Sequence, residues 1–211
     1  MFFFVFKTVN ALQESFLEID KQLLTEKIND DLQCLRQRTQ ITPFIGTHRR
    51  RHSSIVALQT GSTGIAVLLD NSKQIYVANI GDSRCIMTIK DKIFVLSEDH
   101  KPTNPGERKR IQDAGFYVSA GRVNHCLNLS RAFGDHMFKN SPTLSPPRQA
   151  ISAFPDVTIC DGRKMKNYDF IVIACDGIWN CMSNKKVASF VRKFIKQDVL
   201  LSEIAKKLIA K

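Results

Sequence analysis

The 211-residue sequence has no pair of cysteines at metal-ligand or redox spacing, and this absence excludes two kinds of site. Without a Cys-x-x-Cys pair there is neither a zinc-finger framework nor a thioredoxin-like redox motif. The thiols are scattered and no secretory signal precedes them, so the sequence predicts reduced cysteines, most of them in the core. It also predicts an intracellular protein of the nucleus or cytosol. The cysteines are Cys34, Cys85, Cys126, Cys160, Cys175 and Cys181.

Long apolar runs are missing as well. The opening run, residues 2–6, is too short for a membrane span or a signal peptide, and Lys7 stands on the wrong side of it for a signal. The sequence therefore predicts no membrane association. A glycine-rich phosphate loop and a nucleophile elbow are also absent, which excludes the commonest nucleotide-binding and serine-hydrolase motifs.

Negative charge is scarce. The chain has 31 Lys and Arg against 20 Asp and Glu, a formal net charge of +11. Such a positive charge is compatible with binding to nucleic acid, anionic membranes or phosphorylated partners. No nucleic-acid-binding motif accompanies the charge, so nucleic acid is disfavoured as a partner. One basic block, residues 49–51, lies in a predicted loop at 34–60, and the C-terminal lysines follow helical patterns that indicate a solvated face.

Helical periodicity is confined to the two ends of the chain. Apolar residues recur every three or four positions from Val9 to Leu23, which predicts an amphipathic helix capped by Thr8. The apolar run at 2–6 before it is typical of a buried strand. Near the C-terminus the pattern predicts two amphipathic helices at 184–196 and 199–210, the second capped by Asp198.

Short apolar or alternating runs fill the middle of the chain. Four of them, separated by polar turns, predict an antiparallel meander, and residues 170–175 predict a central strand. A short helix is predicted at 105–115, ending at Gly115, and a proline-rich loop at 139–149. Strands in the middle and helices at the ends indicate an α+β fold in one domain over residues 1–211. The four runs lie at 65–69, 75–80, 85–89 and 93–96.

Three of the predicted strands run into an acid. Asp82, Asp99 and Asp176 follow apolar runs, and glycine stands beside the first and the last. Carboxylates that converge from strand ends bind hard cations such as Mg²⁺ or Mn²⁺, and two such ions can activate a water and hold a phosphoryl group. Turns also favour aspartate after a strand for local reasons. The pattern alone leaves both explanations open.

Six longer strings are more specific. They are TGSTGIAVLL (60–69), ANIGDSRC (78–85), SEDHKPTNPGERKRIQDAG (97–115), GRVNHCLNLSRAFGDHMFK (121–139), ISAFPDV (151–157) and IVIACDGIWNCMS (171–183). By these strings, which stand in the family's order, the chain from Gly61 onward resembles the metal-dependent serine/threonine protein phosphatases of the 2C type, the PPM family. It is most similar to the gamma subtype, whose late motif also reads CDGIWN, and the helix ALQESFLEID at 11–20 is similar too.

The resemblance implies a fold, a cofactor and a reaction. The fold would be a truncated αββα sandwich of two packed antiparallel β-sheets flanked by helices, with a Mg²⁺ or Mn²⁺ pair between the sheets. A metal-bound water would hydrolyse phosphoserine or phosphothreonine in phosphorylated protein substrates. By this resemblance Asp176 binds metal directly and Asp99 belongs to a third, looser metal site. Six further residues would hold loops in place rather than catalyse, namely Asp82, Ser83, Arg84, Asn180, Arg131 and Asp135.

Two signatures of the family have no counterpart in these residues. The first is Asp-Gly-His-Gly-Gly, and the second is a late Asp-Asn motif that would lie beyond Lys211. The family draws two metal-binding carboxylates from them, and Asp176 alone cannot hold two divalent ions. The sequence therefore predicts a monomer with little or no phosphatase activity.

Three explanations for the missing signatures are open. The chain is a fragment or an imperfect gene product, a splice product that skips the segment between Phe6 and Lys7, or a non-catalytic relative. A non-catalytic relative would bind phosphorylated or acidic partners through its basic face and the loop after SRAFGD.

Overall fold

The computed structural model describes residues 2–39, 55–166 and 169–211, and of residues 2–4 and 39 it describes the backbone alone. The chain divides into two compact units, 1–64 with 100–155 and 65–99 with 156–211. The prediction of one domain over residues 1–211 stays a prediction. Within the described ranges, no helix has the length and apolar character needed to span a membrane.

Among the described residues, two α-helices precede the first five strands, a third α-helix separates these from the next five, and three α-helices follow the last strand. The described helices are α1 (Phe2–Gln22), α2 (Glu26–Thr39), α3 (Pro105–Asp113), α4 (Asp176–Trp179), α5 (Asn184–Ile195) and α6 (Leu201–Ile209). The described strands are β1 (Gly61–Ser62), β2 (Gly64–Leu69), β3 (Gln74–Ile80), β4 (Arg84–Ile89), β5 (Lys92–Val95), β6 (Val118–Ser119), β7 (Arg122–Val123), β8 (Phe133–Gly134), β9 (Asp156–Asp161) and β10 (Ile171–Ala174).

The second unit contains two three-stranded sheets packed face to face. In one sheet β3 lies between β2 and β9, and in the other β4 lies between β10 and β5. Ile75 and Val77 of β3 share an apolar core with Cys85 and Met87 of β4, because alternate side chains of a strand point to the same face. The predicted α+β class with two packed sheets is confirmed.

Two helices cover the other face of the β4 sheet. Ile86 points away from Cys85 and packs against Val187 of α5 and Leu208 of α6. The helices predicted at 184–196 and 199–210 are confirmed. The predicted cap at Asp198 is wrong, because Asp198 has a φ of 53° and belongs to the end of α5. The Asp198 N–H donates to the Ile195 carbonyl, an arrangement that closes a helix C-terminus.

The predicted meander is interrupted at its centre. All four predicted strands are present, but β3 and β4 lie in different sheets. Gly81, with a φ of 91°, forms the turn that carries the chain from one sheet to the other. The run at 170–175 is also not central, since β10 is an edge strand of the three-stranded sheet that the described residues form. Ile173 on this edge is 47% exposed.

The first unit packs three helices with short strand pairs. Its core includes Ile111 of α3, Val123 of β7 and Phe138. Phe16 of α1 lies against Phe133 of β8, with ring centroids 5.2 Å apart. The short helix predicted at 105–115 is confirmed, and Gly115 ends it with a φ of 84°.

The opening apolar run is helical, so the strand predicted at 2–6 is wrong, as is the cap at Thr8. No proline or glycine separates this run from the amphipathic pattern that follows. Extending an existing helix avoids the cost of nucleation, which outweighs the strand preference of Phe and Val. The amphipathic helix itself is confirmed, and α1 begins at Phe2 instead.

The predicted loop at 34–60 starts later than expected. Helix α2, which was not expected from the sequence, continues to Thr39. Residues 40–54 with the basic block lie outside the described residues. The Asn29 side chain on α2 accepts a hydrogen bond of 2.9 Å from the Val56 N–H. This bond holds Val56 against α2.

The cysteines are free thiols, as predicted, but most of them are not in the core. All six cysteines lie in described ranges, and Cys85 is the one that is buried. Burial raises the pKa of its thiol to about 12. The exposed cysteines are Cys34, Cys126, Cys175 and Cys181.

Candidate functional site

Asp176 begins α4 directly after strand β10. Its carboxylate is half-buried and accepts a hydrogen bond of 3.2 Å from the Asn180 side-chain amide. The indole N–H of Trp179 donates to the Ala174 carbonyl at 2.7 Å, which fixes α4 to the end of β10. Asp176 and Asn180 are therefore brought together, one helical turn apart, at the end of this strand.

Asp99 is bound by an arginine. Nε of Arg84 donates to Asp99 Oδ1 at 3.0 Å and Nη2 donates to Oδ2 at 2.8 Å, a two-pronged ion pair. The third nitrogen of Arg84 donates to the Asn184 side-chain oxygen at 2.7 Å, and the guanidinium lies 5.3 Å from the centroid of the Trp179 ring. The hydrogen bond to Asp99 raises the pKa of Arg84. Arg84 thus joins β4, the segment after β5, α4 and α5.

Asp82 lies in the turn between β3 and β4 and is buried. The Asn79 side-chain amide crosses this turn, donating to the carbonyls of Gly81 at 3.3 Å and Glu98 at 3.0 Å. The oxygen of the same amide is buried and has no hydrogen-bond partner within the described residues. These contacts hold the Asp82 turn against the segment that leads to Asp99.

Arg131 belongs to a buried ionic cluster in the first unit. Nη2 of Arg131 donates to Glu107 Oε1 at 2.7 Å, Arg110 approaches the other oxygen at 2.8 Å, and the Ser130 hydroxyl donates to it at 2.6 Å. Burial alone would raise the pKa of Glu107, but the hydrogen bonds from Arg131 and Arg110 outweigh it and lower the pKa to about 2. Arg131 also donates to the Phe154 carbonyl at 2.9 Å. The cluster connects α3 to two loops.

Asp135 lies beside a second buried cluster of the same unit. Lys139 donates to both carboxylate oxygens of Asp20 on α1, at 2.7 and 2.9 Å, and His136 approaches the Asp20 carbonyl at 3.1 Å. Burial raises the pKa of Asp135 to about 6, Asp20 adds to the increase and Lys139 opposes it. Burial also lowers the pKa values of His136 and Lys139.

Two glycines allow the backbone to approach this second cluster closely. A Cβ at Gly61 would collide with the Asp135 carboxylate, and a Cβ at Gly134 would collide with the Thr60 carbonyl oxygen. Gly134 also has a φ of 69°, and Asp135 itself has a φ of 50°. The strings TGS and AFGD therefore meet as the β1–β8 pair, which explains why both need glycine at this point.

A comparison with known families decides the identity. A sequence model described as PP2C, Protein phosphatase 2C, matches residues 5–211. The chain belongs to the protein phosphatase 2C family. The match extends over both compact units and over all of the strings that carry the resemblance.

Relatives within the family include Protein phosphatase 2C homolog 2 of Aspergillus fumigatus, which is 50% identical over 130 residues, 62% of this chain and 30% of that protein. Protein phosphatase 1G of Rattus norvegicus is 43% identical over 157 residues, 71% of this chain and 28% of that protein. Among solved structures, a phosphatase from Toxoplasma gondii is 35% identical with a TM-score of 0.57, over 64% of this chain and 42% of that one. The chain spans less than half the length of each.

The family is metal-dependent, generally with Mg²⁺ or Mn²⁺, but the described acids do not fit such a site by themselves. Over residues 2–39, 55–166 and 169–211, no three His, Cys, Asp or Glu side chains converge as a metal-binding group. Mg²⁺ takes six oxygen ligands in octahedral geometry, several of them usually waters. Proteins hold each ion through one or two carboxylates, so a pair of ions needs more than one free carboxylate. Asp176 offers one carboxylate, and both oxygens of Asp99 are bonded to Arg84.

The predicted site residues thus separate into two groups. Asp82, Asp99, Asp176 and Asn180 lie in the second unit, and Arg131 and Asp135 lie in the first. Sequence reasoning named Arg84 among the loop-fixing residues but did not predict its ion pair with Asp99, and it did not single out Glu107, Asp20 or Lys139. All four stand inside the quoted strings, but an ion pair between distant positions leaves no local pattern.

Proposed function

We propose that this chain is part of a metal-dependent protein serine/threonine phosphatase of the 2C type that hydrolyses phosphoserine and phosphothreonine in proteins. The observation that carries the proposal is the family match over residues 5–211. Within the family we propose the gamma subtype, because residues 175–180 read CDGIWN. Asp176 would be a metal ligand and Asp99 a ligand of an accessory ion. Asp82, Asn180, Arg131 and Asp135 would hold the surrounding loops.

The 211 residues alone are proposed to have little or no turnover. Two features of the second unit support this. The described residues contain no convergent group of three metal-binding side chains, and Asp99 is engaged by Arg84. A carboxylate with both oxygens on a guanidinium must give up those hydrogen bonds before it can bind a cation.

A phosphopeptide assay in Mn²⁺ tests both parts of the proposal. The 211-residue chain, its Asp176→Asn variant and an intact relative such as rat Protein phosphatase 1G are compared on one phosphothreonine peptide. We expect turnover by the relative and none above background by the chain or its variant. Turnover near that of the relative, abolished by Asp176→Asn, would disprove the inactivity and support the phosphatase assignment. Binding of the phosphopeptide without turnover would support a non-catalytic phosphoprotein binder instead.

The transcript provides a second test. Reading the message across the codons for Phe6 and Lys7 and past the codon for Lys211 shows whether the two absent signatures are encoded. If Asp-Gly-His-Gly-Gly and Asp-Asn appear, the encoded protein is expected to dephosphorylate the peptide and to lose that activity with Asp176→Asn. If the message encodes neither, the phosphatase assignment fails for this gene and only a binding role is left.

A further inference from the structure

More than half of the net charge of the chain lies in its C-terminal helices. Residues 183–211 contain eight Lys or Arg and two Asp or Glu, which leaves +6 of the formal +11. All of the lysines there are exposed. Arg192 differs, because its Nη1 bonds Asp91 at 3.0 Å and its guanidinium lies over the Phe170 ring. The charge that α5 and α6 present to solvent is therefore carried by lysine.

A groove of about 630 Å³ lies beside the start of α5. Lys185, Lys186 and Lys211 line it, with Met182 and Phe190 among the apolar residues, and no acid is among its described lining residues. Within the part of the chain that the structure describes, none of these three lysines forms an ion pair with a carboxylate. Like charges brought together on a concave surface repel one another, and an anionic occupant would offset that repulsion.

Aromatic rings beside the groove are already covered by lysines. The rings of Phe190 and Phe194 meet edge to face with centroids 5.0 Å apart. Lys211 lies 5.9 Å from the centroid of the Phe190 ring, and Lys193 and Lys207 each lie 5.7 Å from that of Phe194. Nucleic-acid-binding grooves leave aromatic faces open so that bases can stack on them. The arrangement therefore does not favour single-stranded nucleic acid.

We propose that this groove, the α5 groove, docks a carboxylate-rich peptide segment of a partner protein. Lysines set along a groove can each meet a separate carboxylate as point charges. A single phosphate group is recognised best by the fork of an arginine, and Arg192 is engaged elsewhere. A lipid surface favours protruding apolar side chains, whereas Phe190 and Met182 line a recess. Three exposed apolar side chains are not among the groove's lining residues, namely Leu200, Leu201 and Ile209.

Fluorescence anisotropy with a labelled glutamate-rich peptide of about twelve residues tests the proposal. The control peptide has glutamine in place of every glutamate. The variant K185E/K186E/K211E reverses the charge of the groove. K27E/K92E/K164E changes the net charge of the chain by the same amount at exposed lysines outside the groove. Because the peptide carries no phosphate, the result does not depend on phosphatase activity.

The proposal requires a local effect. We expect the chain to bind the glutamate peptide and not the glutamine peptide, with an affinity that falls as salt rises. The groove variant should raise Kd on the order of tenfold or more, and the control variant about twofold or less, because the control lysines do not line the groove and salt weakens the attraction between exposed charges that are not in contact. A circular dichroism spectrum checks the fold of each variant, and K185Q/K186Q/K211Q must show the same direction of change.

Three results would overturn it. Equal loss of affinity in the groove and control variants would show attraction to net charge alone. Tighter binding to phosphatidylserine vesicles or to an oligodeoxythymidylate than to the peptide would assign the groove to a membrane or to nucleic acid. If the chain showed no saturable binding to the glutamate peptide at low salt, a carboxylate-rich peptide would be ruled out as the occupant of the α5 groove.

Discussion

Glu107 and Asp20 of the first compact unit differ from Asp176 of the second in the groups that hold them. In the first unit Glu107 is bonded to two guanidinium groups and a hydroxyl, and Asp20 is bonded to an ammonium group. In the second unit Asp176 is half-buried and accepts a hydrogen bond from the neutral amide of Asn180. Within the described ranges, no Lys or Arg forms an ion pair with Asp176. The fold therefore compensates the charge of the first two acids internally, but it leaves Asp176 open to a cation.

Asp99 is intermediate, because it is paired with an arginine as Glu107 is but is less buried than Glu107. Like Glu107 with Arg131, Asp99 pairs with Nε and Nη2 of one arginine. The two nitrogens of Arg84 meet separate oxygens, whereas Nε of Arg131 is shared between both oxygens of Glu107. The side chains of Arg84 and Asp99 are 24% and 23% exposed, against 13% and 9% for Arg131 and Glu107. If burial decides how much each acid contributes to stability, the loss in free energy of unfolding on substituting the acid should be largest for Glu107, smaller for Asp99 and smallest for Asp176.

The largest effect is expected at Glu107. Glu107→Gln leaves two buried guanidinium groups without a counter-charge, which should lower the free energy of unfolding by about 3–5 kcal/mol. Urea unfolding followed by far-UV circular dichroism measures this. Asp113→Asn on the same helix is the control, since Asp113 pairs with exposed Lys109 and should cost about 0.5 kcal/mol or less. A loss below about 1 kcal/mol for Glu107→Gln would show that the cluster does not stabilise the first unit.

The same variant has a defined pH dependence. The folded pKa of Glu107, about 2, lies below its ordinary value of 4.5. The folded chain therefore binds fewer protons there than the unfolded chain as pH falls from about 4.5 to about 2, and stability is lost over that window. The difference between the wild-type chain and Glu107→Gln should shrink in this range.

Asp135 should show the opposite pH dependence. Its folded pKa, about 6, lies above its ordinary value of 3.8, so between these values the folded chain binds more protons than the unfolded chain. Stability therefore falls as pH rises through the window, by about 2–3 kcal/mol from this group. Asparagine at this position cannot ionise beside Asp20, His136 and Lys139. The free energy of unfolding of Asp135→Asn should therefore rise by that amount relative to the wild-type chain between pH 4 and pH 7. A difference independent of pH would contradict the raised pKa.

Arg84→Lys should have a smaller effect. Lysine cannot reproduce the fork on Asp99, the bond to Asn184 and the contact with the Trp179 ring, so we expect a loss of about 1–2 kcal/mol. Trp179 is the one tryptophan of the chain, so its fluorescence during urea unfolding reports on the second unit. Combining Arg84→Lys with Asp99→Asn should cost less than the sum of the two single changes. Additive losses would show that the pair contributes nothing beyond its separate members.

The elements that sequence reasoning placed correctly are those with a clear period. The C-terminal helices and the four middle strands follow apolar spacing, and each keeps one face or both in a core. The opening run was misplaced because five apolar residues fit a strand and a helix equally well. The sheet order was also missed, since nothing local in the turn at Gly81 tells whether the next strand joins the same sheet.

Contacts between neighbours in the sequence are the part of the candidate site that a sequence can predict. Asn180 follows Asp176 by one helical turn, and the structure joins their side chains. The ion pair of Asp99 was not predictable, because Arg84 lies fifteen positions away in the sequence and the two meet only after β4 and β5 have paired. The same is true of Asp20 and Lys139, which lie 119 positions apart.

The smallest effect on stability is expected at Asp176. Asp176→Asn removes a half-exposed charge and keeps an oxygen that can accept from Asn180, so the free energy of unfolding should change by about 0.5 kcal/mol or less. Asn180→Ala is the matched change and should also cost little. Urea unfolding followed by Trp179 fluorescence measures both, because Trp179 lies in the same short helix. A loss at Asp176 as large as that at Glu107 would mean that its charge is compensated within the fold after all, which would remove the reason to regard it as a cation ligand.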